Sequence, residues 1–204
     1  MHPFREKTPL RRPDRAKCEH YSSYLKTLRE DFTQRCGYCN DLDNYRIRSF
    51  TIDHFVPQKP IGFKTTIAPN YYYNLVYACR YCNTSKTNKW PTNDEKVHND
   101  GSRGFIDPVK QEYTDLYKRT KSGRIVPVDD KNALAHDIIA ELKLWQPIHE
   151  RMWKFEKIDR LIEQIELRLS KVKDQAAKEV AEAIHYKLLK SWREIQKGIF
   201  VDND

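Results

Sequence analysis

Four of the chain's five cysteines fall into two matched pairs, Cys36-Gly-Tyr-Cys39 and Cys79-Arg-Tyr-Cys82. A two-residue gap between thiolates is the knuckle spacing, in which a tight turn aims both sulfurs at one ion. Two knuckles supply the four soft ligands of a tetrahedral structural zinc site. A lone CxxC would equally suit a redox motif, and the matched second pair is what favours Zn2+. Four thiolates leave no open coordination position, so this metal should staple the fold and leave the chemistry to other groups. Cys18, in the basic N-terminal stretch, reads as an incidental thiol.

The residues between and just after the knuckles carry the second chemistry. Asp53 and Asn83 offer hard oxygen ligands suited to Mg2+ or Mn2+. His54, with an unperturbed pKa near neutrality, suits a general base. Asn74 could orient the His54 ring or tie down the intervening loop. Arg80, Lys86 and Lys89 flank the second knuckle and could contact phosphates. Tyr71, Tyr72 and Tyr73 could stack on bases or pack into the core, with Tyr72 the candidate nucleic-acid contact. Asp107 could support the acid cluster or simply make a turn. Adjacent strand residues point to opposite faces, so Asp53 and His54 can share a site only where the strand ends or bends; Pro57 and Pro60 follow at once.

Several elements must hold these groups. A short amphipathic helix is expected over 22–34, a strand over 46–55 including Ile47, a short apolar run over 71–78, and a polar helix over 83–89. A hairpin around Lys121-Ser122-Gly123 would join 112–119 to 124–128, with Pro127 restricting the second strand to an edge. Helices are expected over 132–144, 148–170 and 176–198. Their apolar rows are Met152, Phe155, Ile158, Ile162 and Ile165 in one, and Val180, Ile184, Leu188 and Trp192 in another, as in a hairpin or small bundle. The chain thus divides into a basic N-terminal arm, irregular over 1–17, with the start of the short helix (1–29), a core (30–92), a polar connector (93–130) and a helical extension (131–204).

CGYC, TIDHFVP, NLVYACRYCN and Lys86 together resemble the zinc-containing HNH endonuclease family over about residues 30–90. The resemblance implies an α+β chain whose ββα-metal core is stapled by the four cysteines and followed by long helices. It implies His54 as general base, Asp53 and Asn83 as ligands of a catalytic divalent ion, and Asn74 as the orienting middle residue of the motif. Asn83 stands where many members carry His, and its neutral oxygen favours Mg2+ or Mn2+ over softer ions. The loop after the Asp-His pair is longer and more aromatic than in many members. The expected activity is hydrolysis of DNA phosphodiesters; a non-cleaving, zinc-stapled binding or adaptor subunit is the alternative. The layout more weakly resembles accessory nucleases of bacterial anti-phage defence systems, which often work with an ATPase. That resemblance would make the C-terminal helices a docking surface, with Trp145, Trp153 and Trp192 as anchors or core residues. Pairing of the long helices would give a homodimer.

Composition fits this reading without deciding it. The 204 residues carry a net charge of +8, with 32% charged and 39% hydrophobic residues. A positive surface favours polyanions through counterion release. The basic start lacks an apolar stretch, and no apolar run suits a bilayer. A cytoplasmic setting without disulfides or membrane is therefore expected.

Overall fold

The computed structural model describes residues 1–46 and 49–200, apart from the Phe200 side chain. Two compact units divide the chain, residues 1–146 and 147–204. The helix at 133–141 packs into the first unit's core through Leu134, Ala135 and Ile138. The structural boundary therefore lies after residue 146, later than the change at residue 131 that sequence character suggests.

In the first unit a 3-10 turn, Tyr21–Tyr24, leads into α1, Leu25–Asp31. Leu28 and Phe32 from this segment are buried. Thr33 and Gln34 then take left-handed backbone angles, φ 51° and 61°, and Gln34 N–H bonds the Arg29 carbonyl at 2.7 Å. That reversal ends the helix and delivers the chain to the first knuckle. After the short strand β1 (His2–Pro3), the next strands are β2 (Phe50–His54) and β3 (Leu75–Cys79). These two pair antiparallel, with Phe50 opposite Cys79 and His54 opposite Leu75. β3 is buried along its whole length, which explains why its sequence, LVYAC, shows no alternation. Helix α2, Arg80–Lys86, follows without a break and completes a ββα unit. The expected strand is shorter than 46–55, and Ile47 lies outside the described residues. The polar helix begins at Arg80, three residues before its expected start, so that Cys82 sits in its first turn.

The N-terminal arm is a correction. β1 pairs with β4, Tyr117–Arg119, which also pairs with β5, Ile125–Pro127, in the order β1-β4-β5. Phe4 is buried with its ring 5.4 Å from Tyr117, and Arg5 and Arg11 are buried too. A cluster of basic residues reads as a solvated arm. Here Arg11 is spent on the Leu75 carbonyl (2.7 Å) and on both oxygens of Asp107 (2.8 and 3.0 Å). Asp107 is thus part of that structural ion pair. β5 lies at the sheet edge, as Pro127 requires. Residues 112–115, expected within the hairpin's first strand, belong instead to the short helix α3 (Gln111–Asp115). Asn132 caps α4 (Ala133–Glu141), its side chain accepting from Ala135 N–H.

The second unit holds α5, Pro147–Leu169, and α6, Gln175–Phe200. Phe155 stacks on Trp192, Trp192 donates to Asp159, and His185 meets Glu166 at 3.0 Å; this descending pairing makes an antiparallel hairpin. Met152, Phe155 and Ile162 are buried, in line with the expected apolar row. Val180 and Ile184 are exposed, contrary to theirs. Residues spaced by four advance about 40° beyond each turn, so such a row spirals off a straight seam. Among the described residues, no helix is long and apolar enough to cross a membrane.

Candidate active site

The two knuckles meet at the end of the ββα unit. Cys36 and Cys39 lie in the turn after α1, Cys79 ends β3, and Cys82 sits in the first turn of α2. All four are buried, and their sulfurs lie within 4.8 Å of one another. Cys39 and Cys79 are 3.7 Å apart, S to S. Zn–S bonds of about 2.3 Å in a tetrahedron require about 3.8 Å between sulfurs, far beyond a disulfide's roughly 2.05 Å. Burial pushes the Cys39 and Cys82 thiols well above their usual range. Burial also disfavours the Cys36 thiolate, but hydrogen bonds from the other three thiols carry it well below. One thiolate is thus held by its neighbours, and four need a cation among them. The donor set fits a structural zinc ion.

Local packing explains the knuckle sequence. A Cβ at Gly37 would stand 2.7 Å from both Phe32 Cε1 and Val76 Cγ1, so only glycine lets the turn approach β3 this closely. Gly37 N–H then donates to the Tyr77 carbonyl at 2.8 Å. Two buried arginines brace the same turn, Arg5 on the Gly37 carbonyl and Arg119 on the Cys39 carbonyl, each at 2.6 Å. A zinc ion with four thiolates carries net negative charge, and these guanidiniums sit where they offset it. Burial lowers Arg5 to about 10. Nothing in the sequence separates these two arginines from the surface ones.

A cleft of about 390 Å³ opens at the His54 end of the β2–β3 hairpin, lined by Asp53, His54, Gln58, Lys59, Asn83, Thr87 and others. β2 ends at His54, and from there Asn74 continues the pairing. Its carbonyl accepts from Phe55 N–H, its Oδ1 accepts from Val56 N–H, and its Nδ2 donates to the Val56 carbonyl, all at 2.8–2.9 Å. Asn74 therefore ties the loop, and among the described residues its side chain makes no hydrogen bond to the His54 ring. The strand end allows adjacent residues to line one cleft.

His54 is held by the loop. The Pro69 carbonyl lies 2.8 Å from Nε2 and can only accept, so a proton on Nε2 serves it and leaves Nδ1 as the basic nitrogen. The Gln58 amide nitrogen lies 2.9 Å from Nε2 and 3.3 Å from Nδ1, so that proton requires the amide to turn its oxygen toward Nε2. Tyr21 packs its ring at 4.8 Å and 74° to the imidazole. Burial lowers the His54 pKa below its ordinary value, which favours the neutral ring that can take a proton.

Asp53 is buried, and its Oδ2 is anchored twice, by Tyr38 O–H at 2.5 Å and by Lys86 Nζ at 3.2 Å. Burial raises the carboxyl and lowers the Lys86 ammonium, each partly restored by the other. Oδ1 makes no hydrogen bond among the described residues, and neither does the Asn83 side chain. The cleft thus offers one carboxylate oxygen and one amide oxygen with no competing partner, a donor set that fits a hard divalent cation with waters completing its shell. Tyr38 belongs to the first knuckle, so the zinc staple holds Asp53 through one hydrogen bond.

The remaining sequence candidates fare unequally. Lys86 is fully buried on Asp53 and on the His54 carbonyl (2.9 Å), which removes it from phosphate contact. Tyr72 is buried with its hydroxyl on Asp31, which removes it from base stacking. Lys89 pairs with Glu141 at 2.8 Å. Arg80 is exposed at the start of α2. Sequence reasoning missed Tyr38, Gln58, Lys59 and Tyr21; none has a distinctive spacing, although Gln58 and Lys59 lie within the loop after the Asp-His pair.

The HNH endonuclease family model matches residues 36–89. That span runs from the first zinc ligand through α2 and contains every group of the cleft named above. Residues 36–89 are an HNH endonuclease domain. No curated protein and no solved structure matches the chain significantly. The HNH domain sets a closed thiolate cluster beside an open cleft with hard donors, an arrangement that supports nuclease-type chemistry.

Proposed function

We propose that the chain is a metal-dependent endonuclease that hydrolyses DNA phosphodiesters in the Asp53–His54–Asn83 cleft. The observation that carries this reading is that one cleft brings together the His54 imidazole and two hard oxygens that make no hydrogen bond among the described residues, at the end of β2 and on α2. His54 Nδ1 takes the proton of the attacking water, while the Pro69 carbonyl holds Nε2–H and fixes the ring. Asp53 Oδ1 and the Asn83 side-chain oxygen would hold Mg2+ or Mn2+, which when bound neutralises charge on the phosphate and leaving oxygen. Lys86 and Tyr38 keep Asp53 in place from behind. Lys59, exposed at the cleft, and Arg80, exposed beside the second knuckle, supply positive charge for the strand.

The test is cleavage of supercoiled plasmid and circular single-stranded DNA by the zinc-loaded protein in Mg2+ or Mn2+, beside His54→Ala. Loss of the general base should lower the rate by about 10²- to 10⁴-fold with zinc content and fold unchanged. Equal cutting by wild type and variant would remove His54 from the mechanism. No cutting by folded wild type on either DNA would favour a binding-only subunit.

A further inference from the structure

The tyrosine triplet divides. Tyr72 turns inward, whereas Tyr71 and Tyr73 remain 51% and 42% exposed, their ring centroids 5.6 Å apart. Tyr21, 40% exposed, adds a third ring directly against His54. The segments that carry them are tied together: Asn70 Nδ2 donates to the Cys18 and Glu19 carbonyls at 2.8 and 3.2 Å. Pro69, two residues before Tyr71, accepts from His54 itself. The exposed aromatic surface therefore borders the candidate general base.

Single exposed apolar side chains need no explanation, but a cluster beside a reactive group does. The Tyr73 hydroxyl donates to the Pro13 carbonyl, so its polar end is engaged and its ring is what it offers outward. A ring fixed in this way loses little conformational freedom on binding. Duplex DNA presents phosphates, sugars and base edges, while its base faces are stacked on one another. An unpaired strand presents those faces, and each stacked base contributes about 1–3 kcal/mol on an aromatic ring. The first unit carries net charge +7 of the chain's +8, with Lys17, Lys59 and Lys64 exposed in the same segments, which supplies attraction to the backbone.

We propose that the substrate of this site is an unpaired DNA strand whose bases beside the scissile phosphate stack on Tyr71, Tyr73 and Tyr21. The proposal rests on the nuclease reading of the cleft, but its test measures binding without cutting. The zinc-loaded wild-type chain, without added Mg2+ or Mn2+, is titrated against a labelled oligonucleotide as a single strand and as a duplex of equal length, at one fixed salt concentration. Fluorescence anisotropy should show the single strand bound more tightly. Tyr71→Leu with Tyr73→Leu should weaken single-strand binding about tenfold or more and leave duplex binding within about twofold. Tyr71→Phe, which keeps the ring, should bind like wild type. Equal or tighter duplex binding, an equal loss on both forms, or a Tyr71→Phe defect matching Tyr71→Leu would overturn the proposal. Strand-selective, tyrosine-dependent binding by a protein that cuts no DNA would uphold the stacking surface and sink the nuclease reading. Tyrosine-independent cutting of duplex and single strand alike would do the reverse.

Discussion

The zinc cluster and the cleft occupy opposite ends of the β2–β3 hairpin, and they differ in every property that decides what a metal does. The cluster is closed and buried, and its four soft ligands leave no room for substrate. The cleft is open and its oxygen donors are hard and incompletely engaged, with an imidazole alongside whose pKa burial lowers. The cluster therefore suits an ion that serves folding, and under the proposed function the cleft would hold the ion that serves chemistry. Tyr38 is the physical link between them, placed by the first knuckle and bonded to Asp53.

The largest test of that separation is Cys79→Ser, which removes the thiolate shared by the end of β3 and the start of α2. Structural zinc in small sites contributes about 10–16 kcal/mol of apparent binding free energy that is also folding free energy. Bound zinc and the circular-dichroism signature of the first unit should be lost together. A folded Cys79→Ser protein that still cuts would erase the distinction. Lys86→Met comes next. It leaves the Asp53 carboxylate buried without its cation, at a cost of about 3–5 kcal/mol in a urea melt. Zinc stoichiometry should stay unchanged in the protein that remains folded. A cost near zero would mean that the pair is not intact in solution. Asn74→Ala should cost less, about 1–3 kcal/mol, by stranding the Val56 N–H and carbonyl. Its activity should fall more than its zinc content, because the loop that holds His54 is released. A variant with reduced zinc and normal turnover per folded molecule would place Asn74 on the wrong side of the comparison.

What was legible in the sequence follows the same divide. Ligand chemistry is local: two CxxC pairs, an Asp-His pair and an Asn beside Cys82 announce themselves by type and spacing, and the geometry gathers them. Burial is not local. Lys86 and Tyr72 look like surface contacts because lysine and tyrosine usually keep a polar end in water. Only the fold shows Lys86 beneath Asp53 and Tyr72 behind α1. Arg5 and Arg11 in the arm misled for the same reason, since their partners are main-chain carbonyls and Asp107, far away in sequence. The long helices were legible from their period, and strict four-residue spacing misplaced Val180 and Ile184 because the helix turns every 3.6 residues.

The most direct measurement of the two-metal account is a Mn2+ titration of the zinc-loaded protein, read by electron paramagnetic resonance, for wild type and Asn83→Ala. Asn83 is the clean probe because its side chain makes no hydrogen bond among the described residues, so its loss should not disturb the fold. The account predicts a single Mn2+ site in wild type that is lost or strongly weakened in Asn83→Ala, with zinc retained in both. Mn2+ binding that is indifferent to Asn83→Ala, or that displaces the zinc, would contradict it.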